Sequence, residues 1–339
     1  FIFLIVVVLG LSSLTFAKDR GLLIPEQPSF KIVDNVIKLN SLTLEQKIAQ
    51  MVVVHGGMHN LEPWQAMQLG GIHLFAMERP ELFTDTIDSF QSGMQIPFFV
   101  TADLEGCLNP FAAFWNSTSV DKISKVGDAF QKGSDDGAFL HSLGFSINFA
   151  PVVDLGDEIW HCRSFPGDES EVTDLAEAYI LGLQSQEMIA TAKHYPGKTL
   201  LANDPHKGLV IADIAQRDLF PYDYLSDNTK LGSVMVTHVI ATGLVNSQGA
   251  PSVVSGDVVG ALKETYGGLI VTDDTMMLGL RNYYDSVDEM YVAVWKAGSD
   301  LILNFDEDPN EIYRMIQVVK EAVRDGVISE EEIDNSVKK

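Results

Sequence analysis

Basic residues are scarce in this sequence. The chain has 23 Lys and Arg against 47 Asp and Glu, which gives a formal net charge of −24 and a pI near 4.5. No window contains a cluster of Lys and Arg, and a surface that binds DNA or RNA phosphates needs one. The composition therefore argues against nucleic acid as a partner. The negative balance is typical of a soluble, salt-tolerant surface.

Several motifs of common enzyme classes are also missing. No G-x-G-x-x-G follows the first predicted strand, which argues against a dinucleotide-binding sheet. No G-x-S-x-G is present, so the chain lacks the nucleophile elbow of serine hydrolases. A metal-dependent barrel hydrolase would carry an H-x-H motif on its first strand, whereas Met51–His55 contains a single His. We therefore expect no cofactor and no metal.

The one long hydrophobic run lies at the N-terminus. Residues 1–17 are almost uninterruptedly apolar, small residues stand near the end of the run, and charge begins at Lys18. This pattern is typical of the apolar core and cleavage site of a signal peptide, here with a truncated start. An uncleaved membrane anchor is the alternative. We expect export, to a secreted, periplasmic or cell-surface location, with residues 18–40 as a lead-in to a domain over 41–339.

That domain alternates short apolar runs with amphipathic segments. Thr43, with Gln46 three residues later, predicts the capping box of a first helix. Eight apolar runs read as strands buried on both faces, as in a parallel sheet: Met51–Val54, Gly71–Phe75, Phe98–Ala102, Ile147–Val153, Ile189–Ala192, Val234–Val239, Leu269–Thr272 and Leu301–Asn304. The predicted fold is α/β, a single-domain (β/α)8 barrel of the TIM type, with a doubly wound open sheet as the alternative.

Polar residues follow five of these strands in a row, where a barrel places its chemistry. They are Asp103 and Glu105, Asp154, Lys193 and His194, His238, and Asp273 and Asp274. After the fifth strand, Pro196-Gly197 begins a loop that carries Asp204 and His206 two residues apart. One polar strand end could simply reach solvent, but packing does not explain five. The sequence therefore predicts a site at this end of the barrel.

With these motifs in order, the chain resembles the catalytic barrel of glycoside hydrolase family 3, specifically its bacterial-type β-N-acetylhexosaminidase branch. The Asp204-Pro205-His206 segment is the branch-specific part. The other matching motifs are Asp103-Leu104-Glu105-Gly106, Asn148-Phe149-Ala150-Pro151-Val152-Val153-Asp154, Arg163-Ser164-Phe165, Lys193-His194-Tyr195-Pro196-Gly197 and Val271-Thr272-Asp273-Asp274.

The resemblance implies a retaining, exo-acting glycosidase that removes terminal β-linked N-acetylglucosamine. Asp273 would be the nucleophile that forms a covalent glycosyl-enzyme, because a retaining enzyme needs a carboxylate at the anomeric carbon. His206 would be the acid/base, oriented by Asp204, and an imidazole suits both proton transfers because it titrates near neutrality. The implied substrate is a β-linked N-acetylglucosamine oligosaccharide or a peptidoglycan fragment.

The resemblance also assigns the sugar pocket. Asp103 would accept hydrogen bonds from sugar hydroxyls, and Arg163, Lys193 and His194 would donate to the sugar. His238 is a site residue or a core histidine bonded to backbone, and Asp274 is a site residue or the cap of a helix starting at Thr275. Asp103, Arg163, Lys193, His194 and His238 are therefore the candidate substrate-binding residues.

The chain departs from the family pattern at three places. Cys107-Leu108 stands where the family has Gly-Arg, Lys198-Thr199 stands where it has His-Gly, and Pro205 replaces the Ser between Asp204 and His206. These departures keep two alternatives open: a β-glucosidase or β-xylosidase, and a non-catalytic, exported carbohydrate-binding barrel.

The chain has only two cysteines, Cys107 and Cys162. They follow the third and fourth strands, and neighbouring strands of a barrel bring these loops side by side. Cys107 replaces a family glycine, and an exported protein meets oxidising conditions. We therefore predict a Cys107–Cys162 disulfide, with two unrelated buried thiols as the alternative.

Overall fold

A computed structural model describes residues 24–33, 36–156, 158–198 and 203–339 of the protein. The predicted signal peptide, residues 1–17, lies outside the described residues. Within the described ranges, no helix combines the length and apolar character needed to cross a membrane.

Eight parallel strands form one sheet in which neighbours in sequence are neighbours in space. The strands, β1 to β8, are Val52–His55, Gly71–His73, Phe99–Ala102, Ile147–Asn148, Ile189–Tyr195, Ser233–Val236, Leu269–Thr272 and Ile302–Leu303. β8 pairs with β1, and a parallel bridge between Val271 and Leu301 joins β7 to the start of β8. Each strand overlaps one of the eight predicted runs, so the predicted α/β barrel is confirmed.

Continuous apolar strands bury side chains on both faces of this sheet. Inward-facing residues such as Val53, Phe149 and Met235 form a cluster inside the barrel. The outward face packs on the helices in a second, larger cluster that includes Val52, Val54 and Trp64. Burying an aliphatic or aromatic side chain of this size contributes about 1.5–3 kcal/mol. The two clusters together hold the strand ends in fixed positions.

Eleven α-helices are described. The helices, α1 to α11, are Leu44–Gln50, Leu61–Met67, Pro80–Gln91, Val126–Leu143, Glu169–Gln184, Gln216–Asn228, Gly256–Thr265, Leu278–Arg281, Val287–Ala297, Pro309–Arg324 and Glu330–Lys338. The predicted capping box at α1 is present: Thr43 accepts from the Gln46 N–H, and the Gln46 side chain accepts from the Thr43 N–H. Both contacts satisfy N–H groups that the helix leaves unpaired.

Two small ladders lie outside the barrel. Ile32–Val33 pairs antiparallel with Val36–Ile37, and Ile211–Ile214 pairs parallel with Ile240–Gly243. We did not predict the second ladder. Its first strand alternates exposed and buried residues and is four residues long, so it lacks the continuous apolar run that marked the barrel strands. This ladder follows the loop that carries Asp204 and His206.

Candidate active site

A cavity of about 500 Å³ opens at the carboxyl ends of the barrel strands. Seven of the eight predicted catalytic and substrate-binding residues line it: Asp103, Arg163, Lys193, His194, Asp204, His206 and Asp273. The remainder of the lining is rich in aromatic side chains, Phe75, Phe149, Trp160 and Phe305. Ionisable and aromatic side chains that face one cavity suit a small polar organic ligand.

Two cations share one buried carboxylate on the wall of the cavity. Arg163 donates to Glu105 through Nε at 2.5 Å and Nη2 at 2.9 Å, a bidentate pair. The Lys193 ammonium contacts Glu105 and also donates to Asp103 Oδ1 at 2.6 Å. Burial acts to raise the pKa of Asp103, but Lys193 outweighs it and holds this pKa below its usual value. Asp103 is therefore ionised, and its side chain keeps 37% exposure toward the cavity.

Asn148 on β4 fixes the segment between Asp103 and Glu105. Its side-chain oxygen accepts from the Leu104 N–H at 2.9 Å, and its amide donates to the Leu104 carbonyl at 3.0 Å. The same amide contacts the Tyr179 hydroxyl of α5 at 3.1 Å. From the sequence, we predicted no role for Asn148 beyond its place in a motif. A polar residue in an apolar run was the available signal, but that signal does not identify its partners.

His194 is held as a neutral ring. Its Nδ1 lies 2.7 Å from Asp154 Oδ2, and its Nε2 lies 3.5 Å from Arg163 Nη2. Burial, together with the nearby Lys198 and Arg163 charges, lowers the pKa of His194 well below its ordinary value. The neutral ring donates from Nδ1 to Asp154. Burial raises the pKa of Asp154 to about 6.

His73, at the end of β2, contacts the cavity-lining Asp103, and we did not predict this role. Its Nδ1 lies 2.9 Å from Thr101 Oγ1, and its Nε2 lies 3.6 Å from Asp103 Oδ2. The ring stacks on Phe305, with centroids 4.8 Å apart, and burial lowers the pKa of His73 to about 4. A lone polar residue inside the second apolar run was the available signal.

Asp273 is an ionised carboxylate, and only one of its two oxygens has a hydrogen-bond partner among the described residues. Its Oδ1 accepts from the Asp274 N–H at 3.1 Å, while its buried Oδ2 has no hydrogen-bond partner among the described residues. Burial acts to raise the pKa of Asp273. Electrostatic interactions with His238, Lys198 and other neighbouring groups outweigh burial and hold this pKa below its usual value. Such a carboxylate can attack an electrophilic carbon.

Asp204 and His206 form a pair across two residues of one loop. Asp204 Oδ1 lies 2.6 Å from His206 Nδ1 and accepts from the His206 N–H at 3.0 Å. Burial acts to raise the pKa of Asp204, but its hydrogen bonds to His206 outweigh burial and lower it. The His206 side chain remains 47% exposed. The imidazole is therefore oriented through Nδ1 while about half of the side chain remains exposed.

His238 does not line the cavity. The residue is fully buried, and Nε2 donates to the Asp274 carbonyl at 2.8 Å, an arrangement that fits the core-histidine alternative. Asp274 Oδ1 accepts from the N–H groups of Met276 and Phe305, each at 3.1 Å. The helix that we expected to start at Thr275 starts instead at Leu278, because this Asp274-bonded turn precedes it.

Cys107 and Cys162 form a disulfide, with Cα atoms 5.5 Å apart. The bond joins the loop after β3 to the loop after β4, beside two cavity-lining residues, Arg163 and Trp160. Gly106 has a φ of 134°, and a Cβ there would lie 2.8 Å from the Cys162 carbonyl oxygen. The close approach of the two loops therefore needs glycine at this position.

Known proteins share both the sequence and the fold. β-Hexosaminidase A of Pseudoalteromonas piscicida is 29% identical over 63% of this chain, but the match spans only 40% of that protein. β-Hexosaminidase LpqI of Mycobacterium tuberculosis is 27% identical over 87% of this chain and 81% of its own length. A family 3 glycosyl hydrolase structure from Mycobacterium smegmatis superposes with a TM-score of 0.81 at 25% identity, covering 89% of this chain and 97% of that one.

The family assignment rests on nearly the whole domain. The sequence model described as the glycosyl hydrolase family 3 N-terminal domain matches residues 43–339, which include every strand of the barrel and every residue discussed above that lines the cavity. The predicted resemblance and the predicted enzyme class, a glycoside hydrolase, are confirmed at the level of the family. The chain belongs to glycosyl hydrolase family 3.

Proposed function

We propose that this protein is a retaining, exo-acting glycosidase that removes terminal β-linked N-acetylglucosamine. One observation carries the proposal: the ionised Asp273 shares a cavity with a half-exposed imidazole, His206, that is paired to the Asp204 carboxylate. The names of the relatives, β-hexosaminidases, support the choice of sugar. The natural donor would be an oligosaccharide or a peptidoglycan fragment.

In the first step, the Asp273 carboxylate attacks the anomeric carbon and the bond to the leaving oxygen breaks. His206, protonated on both nitrogens, transfers the Nε2 proton to that oxygen. The products are the free alcohol and a covalent glycosyl ester of Asp273. Asp204, which accepts from Nδ1, orients the ring and stabilises the imidazolium before transfer.

In the second step, neutral His206 takes a proton from water at Nε2, and the water oxygen attacks the anomeric carbon. The ester bond to Asp273 breaks, and the sugar leaves with its original configuration. Asp103 would accept hydrogen bonds from sugar hydroxyls, while Lys193 and Arg163, which Glu105 holds in place, would donate to the sugar.

The mechanism is tested by two variants on two substrates. Asp273→Asn should lose nearly all turnover, because an amide is a poor nucleophile. His206→Ala should lose about 10²–10⁴-fold on a natural disaccharide, the usual contribution of a general acid, and much less on an activated aryl N-acetylglucosaminide. Thermal unfolding checks that both variants fold. Equal losses of His206→Ala on both substrates would remove His206 from the acid role.

Sugar specificity is tested by a panel of aryl N-acetylglucosaminides, glucosides and xylosides. Two replaced residues are close to the site: Leu108 lines the cavity, and the Lys198 N–H donates to Asp154. The panel therefore includes the β-glucosidase and β-xylosidase alternatives. Turnover of N-acetylglucosaminides well above the others supports the proposal. Sugar binding without any turnover would instead support a carbohydrate-binding barrel.

We also propose an exported location. The Cys107–Cys162 disulfide supports it, because such bonds persist in oxidising compartments.

A further inference from the structure

The loop that carries the Asp204–His206 pair is bonded to the short helix that follows Asp273. The N–H of Leu278 donates to the His206 carbonyl at 3.3 Å, and the N–H of Gly279 donates to the Pro205 carbonyl at 3.0 Å. These are the first N–H groups of α8, which a helix cannot satisfy internally. The dyad loop therefore supplies the acceptors that begin this helix.

Gly279 leaves no room for a side chain under the loop. A Cβ at this position would lie 2.5 Å from the Pro205 carbonyl oxygen and 3.1 Å from the Gly208 carbonyl oxygen. Real Cβ atoms essentially never come within 3.0 Å of a backbone atom. The φ of Gly279 is not in the left-handed region, so glycine is required here for space and not for backbone conformation.

The helix itself is anchored to the barrel. Asp274 Oδ1 accepts from the Met276 and Phe305 N–H groups, and the Thr275 N–H donates to the Leu303 carbonyl at 3.0 Å. The segment from Asp273 to Arg281 is therefore bonded to β8 and ends in α8. The dyad loop, which carries Asp204, Pro205 and His206, packs on that helix. This contact surface links the position of His206 to the segment that begins at Asp273.

We propose that Gly279 is a positioning residue for the acid/base dyad. Its missing side chain lets the Pro205–His206 backbone dock on the helix, which sets the position of the imidazole relative to Asp273. The inference rests on the proposed function, because it presumes that His206 transfers the proton.

The experiment compares Gly279→Ala with Gly260→Ala and His206→Ala. Gly260, in α7, is a matched control because a Cβ there meets nothing within 4 Å. We expect Gly279→Ala to lose about 10–100-fold in kcat/KM on a natural disaccharide, part of the full contribution of a general acid. The loss on activated aryl N-acetylglucosaminides should be much smaller. Gly260→Ala should match the parent protein on both.

Two further readouts separate positioning from general damage. In a series of aryl substrates, kcat/KM should fall as the pKa of the leaving group rises. This fall should be steeper for Gly279→Ala than for the parent protein and should approach the fall seen for His206→Ala. Azide should speed turnover of the most activated substrate by Gly279→Ala and His206→Ala, because it attacks the glycosyl-enzyme without needing a base. Simple loss of folded protein would lower all rates equally.

Leu278→Pro provides a second variant if Gly279→Ala folds poorly. Proline is tolerated at the first helical position, and Met277 has φ −61° and ψ 140°, which a following proline allows. It removes the N–H that donates to the His206 carbonyl. We expect the same leaving-group dependence with a smaller loss.

The outcomes are distinguishable. If His206→Ala shows no leaving-group dependence, the proposed acid role fails. If His206→Ala shows leaving-group dependence but the folded Gly279→Ala and Leu278→Pro variants show none, the acid role of His206 stands. Only the positioning role of the helix is then overturned.

Discussion

At the residue scale, two adjacent carboxylates have opposite pKa shifts. Burial acts to raise the pKa of Asp273, but electrostatic interactions with His238, Lys198 and other neighbours outweigh burial and hold this pKa below its usual value. Burial raises the pKa of Asp274 to about 6, and the charge of Asp273 adds to this rise. Divergent shifts in one site mark divergent roles. Asp273 is thereby kept ionised for chemistry, whereas Asp274 holds the following turn.

We predict that Asp274→Asn gains stability relative to the parent protein as pH rises from 4 to 6. The folded-state pKa of about 6 exceeds the unfolded value of about 3.9, so the folded parent binds more protons in this window and loses stability as pH rises. Asparagine does not titrate, and its oxygen can keep the bonds from Met276 and Phe305. Any cost of the new NH₂ group is independent of pH.

Urea unfolding at pH 4 and pH 7.5 measures this effect. The difference in unfolding free energy between Asp274→Asn and the parent should be more favourable to the variant at pH 7.5. A difference that does not change with pH would show that Asp274 carries no raised pKa.

At the element scale, the strands could be predicted and the contacts between elements could not. Eight continuous apolar runs identified the eight strands, because a strand that is buried on both faces has apolar residues at nearly every position. The roles of Asn148 and His73 depend on which residues of neighbouring strands face them, so they appear only once the register is known. The docking of the dyad loop on Gly279 likewise depends on space between distant segments.

The α4–α5 pair shows the same dependence on space. A Cβ at Gly133 would lie 2.1 Å from the Tyr179 carbonyl oxygen, and a Cβ at Gly182 would lie 2.1 Å from the Phe130 carbonyl oxygen. These glycines let the two helices approach backbone to backbone. The pair also carries Tyr179, whose hydroxyl meets Asn148 behind the cavity wall.

We predict that Gly133→Ala lowers the free energy of unfolding by about 1–3 kcal/mol, the usual cost of overpacking. The clash is with backbone, so it outweighs the gain of about 1 kcal/mol from the helix propensity of alanine. Gly127→Ala is the control on the same helix, because nothing lies within 4 Å of its Cβ. Urea unfolding should show Gly127→Ala neutral or stabilised. Equal effects of the two changes would contradict close helix packing at Gly133.

At the scale of the whole molecule, the chemistry is gathered at one end of the barrel. An acidic protein with a net charge of −24 places Arg163 and Lys193 in this cavity, each paired to a buried Glu105. The barrel topology made the location of the site predictable, because strand ends converge there. Which side chains pair within the site was harder to predict. His194 binds Asp154 and Arg163 binds Glu105 across loops of differing length.

The Cys107–Cys162 disulfide acts at this same scale, because it closes a long segment of chain. The bond spans a sequence separation of 55 residues, and in the chain-entropy model such a closure contributes about 4 kcal/mol by restricting the unfolded chain. We predict that the double variant Cys107→Ser/Cys162→Ser loses stability of this order. Changing both residues avoids a free thiol.

Urea unfolding of the oxidised protein, the reduced protein and the double variant measures the effect. The reduced protein should match the double variant, and both should unfold at lower urea than the oxidised protein. Because the bond also holds the loop that carries Arg163 and Trp160 at the cavity, KM should rise more than kcat falls in both. Unchanged unfolding after reduction would show that these loops hold together without the bond, through contacts such as the Arg163–Glu105 pair.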